Sequence, residues 1–341
     1  MKMKSVYCYM LAGLMLSASS CSSWLSEDDA PVMSYDYYET EAGVNAAITA
    51  AYGFLRWGVG GERFDVLTEL GTDLFTEGED GSNRESYNKY ATQLNPDDGI
   101  LYEMWENHYK GISDANIAMQ KIRDSQDLLE SVKIQSYAEM QFIRAYLYFD
   151  LVQQFGRIPL VTEGSFEIRT DFKRAPIADV YNVIISDLRN AAENLPEKAS
   201  VLGRATRYSA AHLLAKVYLT RGSAVKDARG QKATDMDSTL YYAEQVINSG
   251  AYALQENFSS LWDIKNQGNS EAVFAVQFTT EPMFNGDGNK QHLYWLSWYE
   301  DQPGMLRDIE NGRPYRRHVA TKKTMDDLFD RLHDSRFYKS F

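Results

Sequence analysis

The sequence predicts a mainly α-helical protein: a bundle of stacked helices with one irregular, loop-rich part and few short strands. Three observations carry this. Residues 138–155 read as one unbroken and unusually apolar helix. Ile177, Val180, Ile184, Leu188, Ala191 and Leu195 recur at helical spacing and line one face. Beyond about residue 252 the helical period gives way to sequence punctuated by Asn and Gly.

Taken in order, residues 1–20 form a targeting segment. Lys2 and Lys4 precede an apolar run over 6–16 that is too short to span a bilayer, and Ala18, Ser19 and Ser20 approach Cys21. A Cys at that junction resembles a bacterial lipoprotein site, although Ala18 stands where Leu, Val or Ile is usual. Diacylation of Cys21 would fix the chain to a membrane; the plainer alternative is a secretory signal with a Cys nearby. Residues 21–39 then form the lipidated Cys and a polar tether with an acidic Glu27-Asp28-Asp29 run, and 40–341 the helical domain.

Helices are expected at about 40–57, 101–123, 130–155, 176–195, 206–222 and 236–249. In the third, Ala138, Phe142, Ala145, Phe149 and Val152 share one side while Met140, Ile143, Leu147 and Leu151 fill the other, so this helix is sandwiched between neighbours. Gly156 ends it through a left-handed residue, and an Ile-Pro-Leu-Val strand follows. Small Ala210, Ala211 and Ala215 permit close approach in the fifth, and the fifth and sixth together look like a tetratricopeptide pair with an overlong connection. Residues 271–280, EAVFAVQFTT, read as a strand, 281–318 as irregular loops and 322–332 as a last short helix.

The chain carries a formal charge of −13. Loss of Lys2 and Lys4 with the leader makes it −15, which disfavours nucleic acid and anionic surfaces as partners. Cys8 leaves with the leader, so Cys21 alone remains. No intrachain disulfide and no cysteine-based zinc site is then possible.

Glu139, Phe142, Ile143, Arg144, Ala145, Tyr148, Phe149, Leu151, Phe155, Gly156, Pro159 and Leu160 match a motif of the SusD/RagB family, which the chain resembles. Further pieces of that pattern are Trp105, Tyr109, Gly111, Ile112, Ala115 and Asn116, the Gly203–Thr206 run, and Asp334, Arg336 and Phe337. The resemblance implies a glycan-binding lipoprotein of the bacterial outer membrane, facing outward, that delivers oligosaccharide to a TonB-dependent SusC-like transporter. It implies no enzyme and no cofactor. Family members continue well beyond the Asp-x-Arg motif, so the C-terminal part of the family fold is expected to be missing here.

Catalytic signatures are absent: there is no G-x-S-x-G and no H-E-x-x-H, and Gly58-x-Gly60 lacks a third spaced Gly. The Glu77–Asn83 loop misses calcium-loop spacing, so no metal is expected. Two aromatic groups are candidate sugar platforms: Tyr87 and Tyr90 in one loop, and Tyr294, Trp295, Trp298 and Tyr299 in the other. A pyranose stacks its C–H face on such rings while polar neighbours, here Arg84, Asn88 and Asn289, bond its hydroxyls. The competing reading makes Trp295 and Trp298 one buried face of a short helix. Two other functions stay open, a helical-repeat adaptor between proteins and a surface glycoside hydrolase.

Overall fold

In a computed structural model, the structure describes Tyr37 and residues 40–340 except 81–83, 92–93, 166–168, 226–227, 282–285, 287 and 310–311. The leader, Cys21 and most of the tether lie outside the described residues. Met1–Tyr37 and Tyr38–Phe341 are separate units; the described residues after Tyr37 belong to the second.

Helix α1 is Glu41–Gly53, started by Thr40 whose side chain accepts from the Gly43 N–H. Two short helices follow, α2 at Arg56–Gly60 and α3 at Glu62–Thr68. The expected 40–57 helix is therefore broken at Phe54. The short α4, Glu85–Lys89, comes next, and then the long helices: α5 Gly99–Asp124, α6 Glu130–Phe155, α7 Ile177–Asn194, α8 Arg207–Gly222 and α9 Asp235–Ile247. From α5 to α9 each packs on its successor, and α1 lies against α5 and α6.

Over residues 138–152 helix α6 is buried on both its faces, as its two-sided apolar pattern demands. Ala138, Met140, Phe142, Ile143, Ala145, Leu147, Phe149 and Leu151 all belong to the core. Three of its polar residues, Glu139, Gln141 and Arg144, are buried as well, and each has partners. Glu139 accepts from Tyr52 on α1 at 2.7 Å and from Arg204 at 2.8 Å. Tyr52 in turn accepts from the Ala205 N–H at 2.7 Å, so one carboxylate ties α1, α6 and the turn before α8. Gly156, at φ +69°, closes α6.

Two connections are reinforced. A capping box between Thr206 and Ser209 starts α8. Arg221 at its end forms a buried two-pronged ion pair with Asp235 at the start of α9, which holds the long connection closed.

The structure differs from expectation after α9. Residues 271–280 form no strand. Their backbone oxygens are taken by helix side chains instead: Ser209 Oγ donates to Val273 O at 3.2 Å and Arg56 Nε to Gln277 O at 2.9 Å. Phe274 packs edge-on against Phe142 at 5.1 Å. The alternation is real, but it fits a segment lying on helices, where no neighbouring strand offers a ladder. The Ile-Pro-Leu-Val segment makes a single bridge, Pro159 to Arg174. The described residues contain two short strands, β1 at Phe75–Glu77 and β2 at His318–Ala320, paired antiparallel with Phe75 opposite Ala320. Between 281 and 318 stands a short helix, α10, at Gln291–Trp295. The expected 322–332 helix contracts to α11, Lys322–Asp326, and α12 is Phe337–Ser340.

Candidate functional site

A cleft of about 550 Å³ opens where the α2–α3 turn meets the loop before α10, with Trp57, Glu62, Arg63, Phe278, Lys290 and Tyr294 among its walls. Hydrogen bonds to the backbone oxygens of Gly60 and Gly61 bring these distant segments together. The Lys290 N–H donates to Gly60 O at 3.0 Å, and Gln291 Nε2 to Gly61 O at 3.0 Å. A Cβ at Gly60 would stand 2.7 Å from the Phe278 ring and 3.2 Å from Gly288 O, so a larger residue there would have to displace that ring.

Tyr294 projects from α10 and stacks on Tyr315, ring centres 5.6 Å apart at 29°. Three backbone bonds fix that pairing: Tyr315 N–H to Leu293 O at 2.8 Å, Arg316 N–H to Leu296 O at 3.1 Å and Arg317 N–H to Tyr294 O at 2.8 Å. The Arg317 guanidinium carbon sits 5.5 Å from the Tyr294 ring centre and 4.7 Å from that of Tyr315, a cation–π arrangement. Arg317 also donates to Glu62 at 2.6 Å, and Arg84 takes the other Glu62 oxygen. Burial alone would raise the Glu62 carboxyl, but the bonds from Arg317 and Arg84 outweigh it and hold it below the usual range. Burial raises the Tyr294 hydroxyl.

Beneath this platform lies a largely buried polar floor. Trp295 Nε1 donates to Asp65 at 3.3 Å and to Gln291 at 3.1 Å. Its ring meets Phe75 edge-on at 4.8 Å and His318 at 5.0 Å. His318 is fully buried, neither ring nitrogen has a hydrogen bond, and Nε2 is 3.9 Å from Asp65 Oδ2. Burial pushes Asp65 up to about 6 and His318 down to about 4, so both favour their neutral forms.

The sequence-predicted residues separate into three groups. Tyr294, Trp295 and Arg84 converge here, Tyr294 as a cleft wall, Trp295 in the packing below it and Arg84 through Glu62. Trp298 and Tyr299 lie farther along the loop: the Arg316 guanidinium sits 5.8 Å from the Trp298 ring centre, and the Tyr299 hydroxyl donates to Gly312 O at 2.8 Å. Tyr87 and Tyr90 face a different cavity, of about 330 Å³. Tyr87 is buried with its hydroxyl on Asp98, whereas Tyr90 is 70% exposed in a left-handed backbone. Asn88 accepts from Gly71, Thr76 and Glu77, which makes it a loop fastener, and Asn289 accepts from the Gln291 N–H. Trp57, Glu62, Arg317 and Tyr315 were not singled out by sequence; the Arg-Pro-Tyr-Arg-Arg run at 313–317 was the available signal. Among the described residues no group of three or more His, Cys, Asp or Glu is placed to hold a metal.

The family model described as SusD-like, "Starch-binding associating with outer membrane", matches residues 32–219. A SusD-like protein P2 of Formosa agariphila is 27% identical over 91% of this chain and 63% of its own length. A solved laminarin-binding SusD-like protein superposes with TM-score 0.72 at 25% identity, over 88% of this chain and 66% of that one. A SusD superfamily protein from Parabacteroides distasonis gives TM-score 0.71 at 23% identity, over 86% of this chain and 60% of that one, and shows the shared fold. The chain thus spans less than two thirds of the length of each of these relatives. On the family match over more than half its residues, the chain belongs to the SusD-like family.

Proposed function

We propose that this chain captures an oligosaccharide in the Tyr294 cleft at the outer-membrane surface and passes it to a SusC-like TonB-dependent transporter. The observation that carries the reading is the Tyr294–Tyr315 stack, a flat apolar face fixed by Arg317 beside a polar cleft. A sugar ring stacks on such a face while its hydroxyls bond to the surrounding polar groups. The family description, starch binding in association with the outer membrane, and the laminarin-binding neighbour support the same reading.

Binding is the whole of the task in this account, and the transporter supplies the energy of uptake. Attachment runs through acyl chains on Cys21. Among the described residues no helix is long and apolar enough to cross a membrane. Affinity electrophoresis of the full chain through gels carrying single polysaccharides tests capture: at least one polymer should retard it, and the Tyr294→Ala variant should run free. A reducing-sugar assay on the same polymers separates capture from hydrolysis, and co-purification with the transporter from solubilised outer membranes tests delivery.

A further inference from the structure

We infer that the Tyr294 cleft selects an oligosaccharide bearing acidic groups, uronate or sulfate, over a neutral one; this rests on the proposed glycan reading. The chain as a whole is acidic, at −13, so most of its surface repels such a polymer. The cleft has the opposite balance. Its described walls carry Arg56, Arg63 and Lys290 against Glu62 and Glu103. Glu103 is matched by Arg63. Glu62 is held between two guanidinium groups, Arg84 and Arg317, and Asp80 also acts on Arg317, so the surplus positive charge of the described walls rests on Arg56 and Lys290.

Lys290 makes no ion pair among the described residues. It stands exposed at the rim with its backbone N–H anchored on Gly60. An acidic substituent on a sugar stacked at Tyr294 therefore meets an ammonium group able to donate a charge-assisted hydrogen bond. It also lies in the field of Arg317, which cannot swing away because its guanidinium is fixed by Glu62 and by both tyrosine rings. A neutral sugar gains the stacking and forgoes both.

The test is calorimetric titration of the full chain with oligogalacturonate, alginate oligomers and chondroitin sulfate oligomers. Each is set beside its neutralised counterpart, methyl-esterified, carboxyl-reduced or desulfated. At least one acidic probe should bind about tenfold or more tightly than its counterpart, with the preference shrinking as salt rises. Lys290→Glu should weaken that probe at least tenfold and Lys290→Gln less, at unchanged melting temperature. Equal affinity within every pair, failure of all three acidic probes to bind, or acidic binding untouched by Lys290→Glu would overturn the inference. If a neutral glycan binds instead and is lost in Tyr294→Ala, glycan capture stands while acidic selectivity falls. If neither acidic nor neutral probes bind, both fall.

Discussion

Arg144 grips Asp187 with two parallel hydrogen bonds, Nε to Oδ2 and Nη2 to Oδ1, each 2.8 Å long. Both residues are buried, and the knot extends further: Arg144 Nη1 donates to Asn116 Oδ1 at 2.7 Å and Thr162 O at 3.0 Å, and Gln141 donates to Asp187 at 2.9 Å. Helices α5, α6 and α7 thus share one polar centre inside an apolar bundle. Removing one partner strands the other, so Arg144→Met should cost about 3–5 kcal/mol, much of it recovered in an Arg144→Met, Asp187→Leu double variant. Urea denaturation checks this. A single variant within about 1 kcal/mol of wild type would contradict the shared centre.

The sandwiched character of α6 makes its aromatic residues costly to remove. Phe142 meets Phe274 at 5.1 Å and Phe149 meets Tyr181 at 6.4 Å. Truncating either to Ala should lose about 3–5 kcal/mol through the cavity left behind. Thermal melts in which both variants stay within a few degrees of wild type would refute it.

The cleft floor predicts a pH dependence of definite sign. Asp65 has a folded-state pKa of about 6, above its ordinary 3.8, so its contribution is complete below about pH 4 and is lost as pH rises through 6. His318, at about 4 against 6.5, runs the other way: its contribution is complete above about pH 6.5 and is lost as pH falls through 4. The two nearly cancel in the wild type. Asp65→Asn removes the first alone, so the variant should gain stability relative to wild type between pH 4 and pH 7, by up to roughly 3 kcal/mol. Melts across that range check the slope; a difference independent of pH would count against a buried, neutral-favouring Asp65.

Much of the bundle was legible because helical periodicity is local. The sequence placed α5 to α9 within a few residues of their ends, and the two-sided pattern of α6 announced its burial. What stayed hidden depends on partners far along the chain. Glu139 and Arg144 belong to a recognisable motif, yet their roles come from Tyr52, Arg204 and Asp187, which no local pattern connects to them. Residues 271–280 alternate like a strand but find helices beside them. At the site, spacing suggested the aromatic loop as a group. It did not show that Trp295 turns inward to Asp65 while Tyr294 faces the cleft, because that division is set by β2 and the 313–317 run packing against α10.

Attachment to the membrane should depend on Cys21. Cys21→Ala removes the thiol proposed to carry the acyl chains, and the variant should appear in the soluble fraction. Its persistence in outer membranes after a high-salt wash would contradict lipid anchoring.

The central claim is that Tyr294 offers a binding face while Trp295 supports the fold. Calorimetric titration of Tyr294→Ala with a glycan that binds the wild type, beside melting curves for Tyr294→Ala and Trp295→Ala, tests it most directly. Loss of the stacking face, worth about 1–2 kcal/mol, should weaken binding roughly five- to thirtyfold in a Tyr294→Ala protein that still melts cooperatively and loses less melting temperature than Trp295→Ala. Trp295→Ala should melt markedly lower, since it abandons Asp65 and leaves a gap beside Phe75 and His318. Wild-type affinity in a well-folded Tyr294→Ala protein would contradict the account.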